Sequence, residues 1–401
     1  MKRRMAIAVA FVAVLGAGLA RHPASHAQTA TTSPQKPANA ARFEFEGNAA
    51  ELPAKYVGNL IFVPAHVDRS QPSLFVLDTT APISSIDPKR AAELGIASTQ
   101  AAVLNLSGVN ILLSSFAQIP GNNFGTRVGW GYEGTIGNDV FSSVVMELDY
   151  GRQSVRMYDP AAYKYSGAAK GLPLTFHDGM PLLHAKFSAG GKSSGETLFI
   201  LNTTLDASLI VSDKFAQAHH LLRSHLKTIP VAPGELGIGG NAVIARLDDI
   251  QIGPYNLQGP LAAFAQGPLP GDDNRQIAGE IGVGIFRRFT VIFDYVRQTV
   301  ILDPNSEFRS EDREDMSGIS LAASGPNWKT FEVTLVRPGT PGSDAGVQKG
   351  DVIAAVDEDA AADLSLDIVR KLFRQVGHKY KLLIERNGKT LTLTVEMRRL
   401  L

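Results

Sequence analysis

Short apolar runs, many of them alternating with polar residues, are separated along the chain by Gly, Pro, Asn and Asp. Ser154-Val155-Arg156-Met157-Tyr158 and Gln298-Thr299-Val300-Ile301-Leu302 alternate with a period of two and predict half-buried strands. Leu74-Phe75-Val76-Leu77 and Leu198-Phe199-Ile200-Leu201 are unbroken apolar runs of strand length. Each ends in a small polar triplet, Asp78-Thr79-Thr80 in the first and Asn202-Thr203-Thr204 in the second. Helical signals are few. Asp87-Pro88 through Gly95 has an N-cap, a Pro at the first helical position and a closing Gly. Ser212-Asp213-Lys214-Phe215 opens a counterpart.

These similarities form a duplication. Gly134-Thr135-Ile136-Gly137 matches Gly279-Glu280-Ile281-Gly282, and Val145 to Tyr150 matches Val291 to Tyr295. Both copies close on Asp-Pro, at Asp159-Pro160 and Asp303-Pro304. Asp78 to Asn202 is 124 positions and Asp149 to Asp294 is 145, so the second copy carries 21 more residues between its motifs. A solenoid needs at least three stacked repeats, so two copies predict a pseudo-two-fold pair of lobes. The expected division is residues 44–165 for lobe one and 166–305 for lobe two. Residues 306–315 are charged and read as a linker, and 316–401 form a further domain.

That last segment has its own pattern. Phe331 to Val336 reads as a strand, 338–343 as a turn, and Val352-Ile353 as the start of another strand. Leu366, Val369, Leu372, Phe373 and Val376 fall at helical spacing. Asn387-Gly388 marks a hairpin.

Composition narrows the function classes. Lys+Arg and Asp+Glu are equal at 39 each, which gives no reason to expect a nucleic-acid partner. Without cysteine there is no disulfide, thiolate zinc site or cysteine nucleophile. The spacing of His219, His220 and His225 does not suit a helical zinc pair, so no metal is expected, and no cofactor. No Gly-x-Ser-x-Gly elbow surrounds a serine. At the N-terminus Lys2, Arg3 and Arg4 precede an apolar run from Met5 to Ala20, with Ser25-His26-Ala27 at a cleavage-like position. Residues 1–27 therefore read as a signal peptide and 28–43 as a disordered spacer. A periplasmic or secreted protein is expected, with no membrane span left after cleavage. Retention of the apolar run as an anchor is the alternative.

The strand followed by Asp78-Thr79-Thr80 resembles the signature of aspartic peptidases, and Ile136-Gly137 and Ile281-Gly282 resemble the element that braces that signature loop. The resemblance is to bacterial two-lobe retropepsin-like proteins and covers roughly residues 44–305. Residues 338–353 resemble a bacterial PDZ domain. The implied fold is mainly β, with two pseudo-symmetric acid-protease lobes followed by a PDZ domain. The implied partners are extended peptides or unfolded segments in the interlobe cleft, and protein C-termini at the PDZ domain. For the PDZ site the resemblance points to Gly318, Ile319, Ser320 and Leu321 on one wall, and to Val369 and Phe373 on the other. Gly237, Gly239 and Gly240 lie in a Gly-rich run that resembles a flap.

The signature departs from the family in its chemistry. Aspartic peptidases place two carboxylates so close that they share a proton, one acting as base and the other as acid. Asn202 stands at the second position and cannot ionise. Thr80 and Thr204 replace the usual glycines. These changes imply a degenerate pair, Asp78/Asn202, and a peptide-binding protein without ordinary proteolysis. The alternative is an atypical endopeptidase using Asp78, alone or with another carboxylate for which Asp206 is the nearest candidate along the chain, with the PDZ domain recruiting substrate.

Overall fold

The computed structural model describes residues 41–97, 101–120, 124–222, 226–231, 235, 240–269 and 276–401. The described residues form one compact unit. The signal peptide, most of the spacer, Gly237, Gly239 and His225 lie outside the described residues. The end of the expected spacer is ordered. Ala41–Phe43 is a strand paired with Val109–Leu113, and the Phe43 and Phe45 rings meet edge to face at 6.0 Å. Alternation of Arg42 and Phe43 is enough to add a short strand once an apolar neighbour is present.

The duplicated halves fold as two β lobes around like-built centres. In lobe one Ser73–Leu77 lies parallel to Gly134–Ile136, with Leu77 beside Ile136. In lobe two Thr197–Leu201 lies parallel to Ile277–Ile281, with Leu201 beside Ile281. Both central strands are almost wholly buried, which is why their sequences are unbroken apolar runs instead of alternating ones. The lobes are joined by a six-stranded sheet. Its middle pair is Val145–Asp149 from lobe one and Phe289–Asp294 from lobe two, antiparallel, with Leu148 opposite Val291. The two copies of one sequence motif thus pair with each other across the pseudo-two-fold. Phe141, Phe293 and Tyr295 pack over this seam, with ring centroids 5.7 to 6.0 Å apart.

Lobe two's extra length holds the antiparallel pair Thr228–Val231 and Ala242–Arg246, ahead of a hairpin, Asp249–Ile252 with Tyr255–Gln258, that matches Ala102–Leu106 with Val109–Leu113 of lobe one. The two sequence-predicted helices form as Pro88–Leu94 and Asp213–Ala218. Asp87 accepts from the Lys89 and Arg90 amides, and Gly95 closes the first helix at φ +71°. Ser212 caps the second through the Phe215 amide.

The C-terminal sheet contains Ile319–Ser324, Thr330–Val336, Val352–Val356, Lys379–Arg386 and Lys389–Glu396. Asn387 and Gly388 both have positive φ, as a two-residue hairpin turn requires. The helix Leu366–Leu372, capped by Ser365, covers a separate apolar core. The charged run before this domain is docked, not free. Asp312 is 4% exposed and accepts from Arg288 at 2.7 Å, Arg287 at 3.0 Å and the Leu261 amide at 3.1 Å. Glu314, also buried, pairs with Arg246 at 2.8 Å.

Candidate functional site

The two polar triplets meet where the lobes touch. Leu77 and Leu201 deliver them at the ends of their central strands, and the parallel neighbours hold the backbone there. The Asp78 amide donates to Ile136 O and the Asn202 amide to Ile281 O, both at 2.9 Å. The glycines after those isoleucines are fixed by close approach. A Cβ on Gly137 would come within 2.7 Å of Ala81 O, and one on Gly282 within 2.3 Å of Ala207 O. The brace expected from the sequence is present in both lobes.

Thr79 and Thr203 tie the lobes together reciprocally. The Thr79 hydroxyl donates to Leu201 O at 2.5 Å, and the Thr203 hydroxyl donates to Leu77 O at 2.8 Å. Each hydroxyl also accepts from the other residue's amide, at 3.1 and 3.2 Å. Both side chains are fully buried, so these bonds form without competition from water.

Thr80 and Thr204, which replace glycines, act on the polar heads. The Thr80 amide and hydroxyl both donate to Asp78 Oδ1, at 2.8 and 2.6 Å. The Thr204 amide lies 2.8 Å and its hydroxyl 2.9 Å from Asn202 Oδ1, and the same hydroxyl also reaches the Asp78 carboxyl. The threonines therefore add a hydroxyl donor to each loop. Burial pushes the Asp78 carboxyl above its usual range, opposed by these hydrogen bonds.

The second carboxylate near Asp78 is Glu280. It lies on Ile277–Ile281 opposite Ile200, is 5% exposed, and accepts from Asn202 Nδ2 at 2.6 Å. Burial, together with the nearby Asp78 charge, pushes it up to about 7, while the Asn202 hydrogen bond pulls the other way. Asn202 is thus held at both ends, amide nitrogen on Glu280 and carbonyl oxygen on Thr204. Sequence proximity had pointed to Asp206 instead. Asp206 interacts electrostatically with Arg127 and Arg370, and Arg127 also interacts with Asp78. Glu280 was visible as the lone charged residue in an otherwise apolar strand, at the position of Thr135 in lobe one.

The other candidates are placed as follows. Gly240 is exposed at a bend. From the same Gly-rich run, Glu235 reaches the C-terminal domain, where it accepts from the Ser320 hydroxyl and pairs with Arg337 at 2.6 Å. Gly318 has φ +72°, and a Cβ there would lie 2.1 Å from Thr340 Oγ1. The loop before Ile319 is already filled. Asp315 Oδ1 accepts from the Ser317 amide at 2.9 Å, the Ser317 hydroxyl at 2.5 Å and the Gly318 amide at 3.1 Å, while the Ile319 amide donates to Ser317 Oγ at 3.0 Å. Ile319, Ser320 and Leu321 are buried. Val369 and Phe373 do not line an open groove as expected: both are fully buried in the domain core, because their helical spacing turns them towards Leu366 and the sheet.

Lobe one also leans on this domain. Arg370 donates to Leu321 O at 3.1 Å within the domain and to Arg127 O of lobe one at 2.7 Å. Arg127 in turn reaches Thr204 O at 3.3 Å. Gly129 lies so close to Leu366 that a Cβ would sit 2.8 Å from that residue's Cβ.

The family model described as a PDZ domain matches residues 309–397. Residues 309–397 are a PDZ domain. Among solved structures, an aspartic proteinase from Irpex lacteus is similar at 10% identity and TM-score 0.41, over 64% of this chain and 98% of that one. A retropepsin-like aspartic protease from Rickettsia conorii is similar at 17% identity and TM-score 0.25, over 35% of this chain and 95% of that one. The photosystem II D1 C-terminal processing protease is similar at 29% identity and TM-score 0.19, over 21% of this chain. The match spans only 23% of that protease's length. Comparison with curated proteins gave no match. The chain is mainly β, with two pseudo-symmetric lobes and a PDZ domain C-terminal to them.

Proposed function

We propose that this is an exported protein that grips extended peptides in the interlobe cleft and carries a second peptide site on its PDZ domain. One observation carries the reading. Asn202 stands where the second acid of a peptidase is needed, and its amide is committed to Glu280 and Thr204. An amide in that place binds and orients, because a second N–H remains to meet a peptide carbonyl, but it cannot shuttle a proton. Linking two peptide sites on one chain raises the effective concentration of the second for a ligand that spans both.

A second reading is peptide hydrolysis, favoured by Glu280. A carboxyl titrating near 7 beside Asp78 supplies the split in acidity that acid–base hydrolysis uses. Asp78 would take a proton from water as the oxygen attacks the peptide carbonyl, and the Glu280 carboxyl would return a proton on bond cleavage.

Casein offered across pH 3 to 8 separates the readings. The expected result is saturable binding without cleavage at any pH. Cleavage that is lost in both Asp78→Ala and Glu280→Gln would establish the hydrolytic reading and overturn the first. Export is checked by N-terminal sequencing of the mature chain, which is expected to start near Gln28.

A further inference from the structure

The PDZ domain contains a carboxylate site made of side chains, and a lobe-two residue fills it. Ser320 and Arg337 are 4% and 8% exposed, and both bind the Glu235 carboxylate of lobe two. Arg337 Nε also donates to Pro230 O, on the strand Thr228–Val231, at 2.7 Å. These contacts border a cavity of about 650 Å³ between the two lobes, residues 306–315 and the PDZ domain. Arg374 lines the same cavity, and its buried Nε has no hydrogen-bond partner. One guanidinium group and a hydroxyl thus hold the anion, and a second guanidinium on the same cavity wall has a donor to spare. The backbone amides expected from the sequence to take a peptide terminus are unavailable, since Asp315 and Ser317 occupy them.

We propose that Ser320, Arg337 and Arg374 form the site for a peptide's C-terminal carboxylate, and that Glu235 is its tethered competitor. The inference rests on the peptide-binding reading of the PDZ domain and is independent of the cleft. A planar carboxylate matches the Arg337 fork, as Glu235 demonstrates. The incoming carboxylate takes over the Ser320 and Arg337 bonds and adds the vacant Arg374 Nε, so exchange conserves charge pairing. A free peptide must displace a carboxylate held at the high effective concentration of its own chain, which weakens apparent affinity without changing the site. Displacement also removes the bond between Glu235 and the PDZ domain, loosening lobe two from it.

The test uses the full chain and a fluorescein-labelled pool of decapeptides, randomised at the last four positions, with free or amidated C-termini. Fluorescence anisotropy is expected to show the free-acid pool binding about tenfold tighter to Glu235→Gln than to the native protein. The amidated pool should bind weakly to both, and Arg337→Gln should lose the free-acid preference. A purely structural role for Glu235 predicts no gain in affinity in Glu235→Gln. Unchanged or weaker free-acid binding in that variant, or equal binding of the two pools, would overturn the proposal. Circular dichroism confirms folding, and Ser320→Ala, which weakens the site without removing a charge, serves if Arg337→Gln does not fold. Casein binding at the cleft is measured separately, so its failure would count against the cleft alone.

Discussion

At the scale of single residues, the site turns on one buried acid. Glu280 titrates near 7 in the folded chain, above the ordinary glutamate value of 4.5. Between those values the folded form keeps a proton that the unfolded form has released. Stability is therefore greatest below the unfolded value and falls as pH rises through the folded one, by roughly 3 kcal/mol if Glu280 acted alone. Glu280→Gln keeps an acceptor for Asn202 and removes the titration. Its urea midpoint is expected to change much less between pH 5 and pH 8 than that of the native protein; parallel profiles would show that Glu280 is not the titrating group. The sequence held the residue types but not their meeting. Asn202 and Glu280 are 78 positions apart and become neighbours only because two strands lie parallel, so a search along the chain from Asn202 found Asp206 first. The threonines were legible as lost glycines. Their gain, a hydroxyl on each polar head, needed the loop geometry.

At the scale of elements, two joints carry most of the specificity. One is the pair of threonine loops. Thr203→Val keeps the shape but leaves Leu77 O and the Thr79 amide without their partners in a dry interface. A loss of about 2–4 kcal/mol is expected from two such groups, read by chemical denaturation. Thr79→Val should cost a similar amount, and the double variant less than the sum, because the two hydroxyls serve one network. The other joint is the docked charged segment. Asp312 sits against Arg288, which is 2% exposed, and its carboxyl is held below the usual range by Arg288 and Arg287 although burial alone would raise it. Asp312→Ala strands a buried guanidinium and should destabilise by about 3–5 kcal/mol, whereas an exposed ion pair would cost under 1. A small effect in the same denaturation assay would mean that the segment is loosely held. Strands, caps and the Asn387-Gly388 hairpin were readable because local chemistry fixes them. The burial of Asp312 and Glu314 within a run as charged as 307–315 was not, since it depends on Arg246, Arg287 and Arg288 of lobe two.

At the scale of the whole molecule, the PDZ domain is fastened to the lobes by more than its linker. Trp328 is the anchor on lobe one: its ring lies so close to Gly125 that a Cβ there would sit 2.7 Å away, and its Nε1 would be 3.2 Å from a Cβ on Gly131. Asn327 and Trp328 both hold positive φ, at 56° and 58°, a backbone state that costs non-glycine residues of order 1–3 kcal/mol each. Such strain persists when the surrounding contacts fix it, and the contacts on the ring side belong to lobe one. Trp328→Ala removes the contact while leaving the strained turn behind. The domain is then held through Arg370 on lobe one and through Arg337 and the 306–315 segment on lobe two. If Trp328 is the main fastening, small-angle scattering should show the radius of gyration rising above the roughly 21 Å expected for a compact chain of this size. Calorimetry should then resolve a separate PDZ transition where the native protein gives one. An unchanged radius with a single transition would place the fastening in the charged contacts with lobe two. The carboxylate site at Glu235 would then be the principal point at which a peptide ligand loosens the PDZ domain from the lobes.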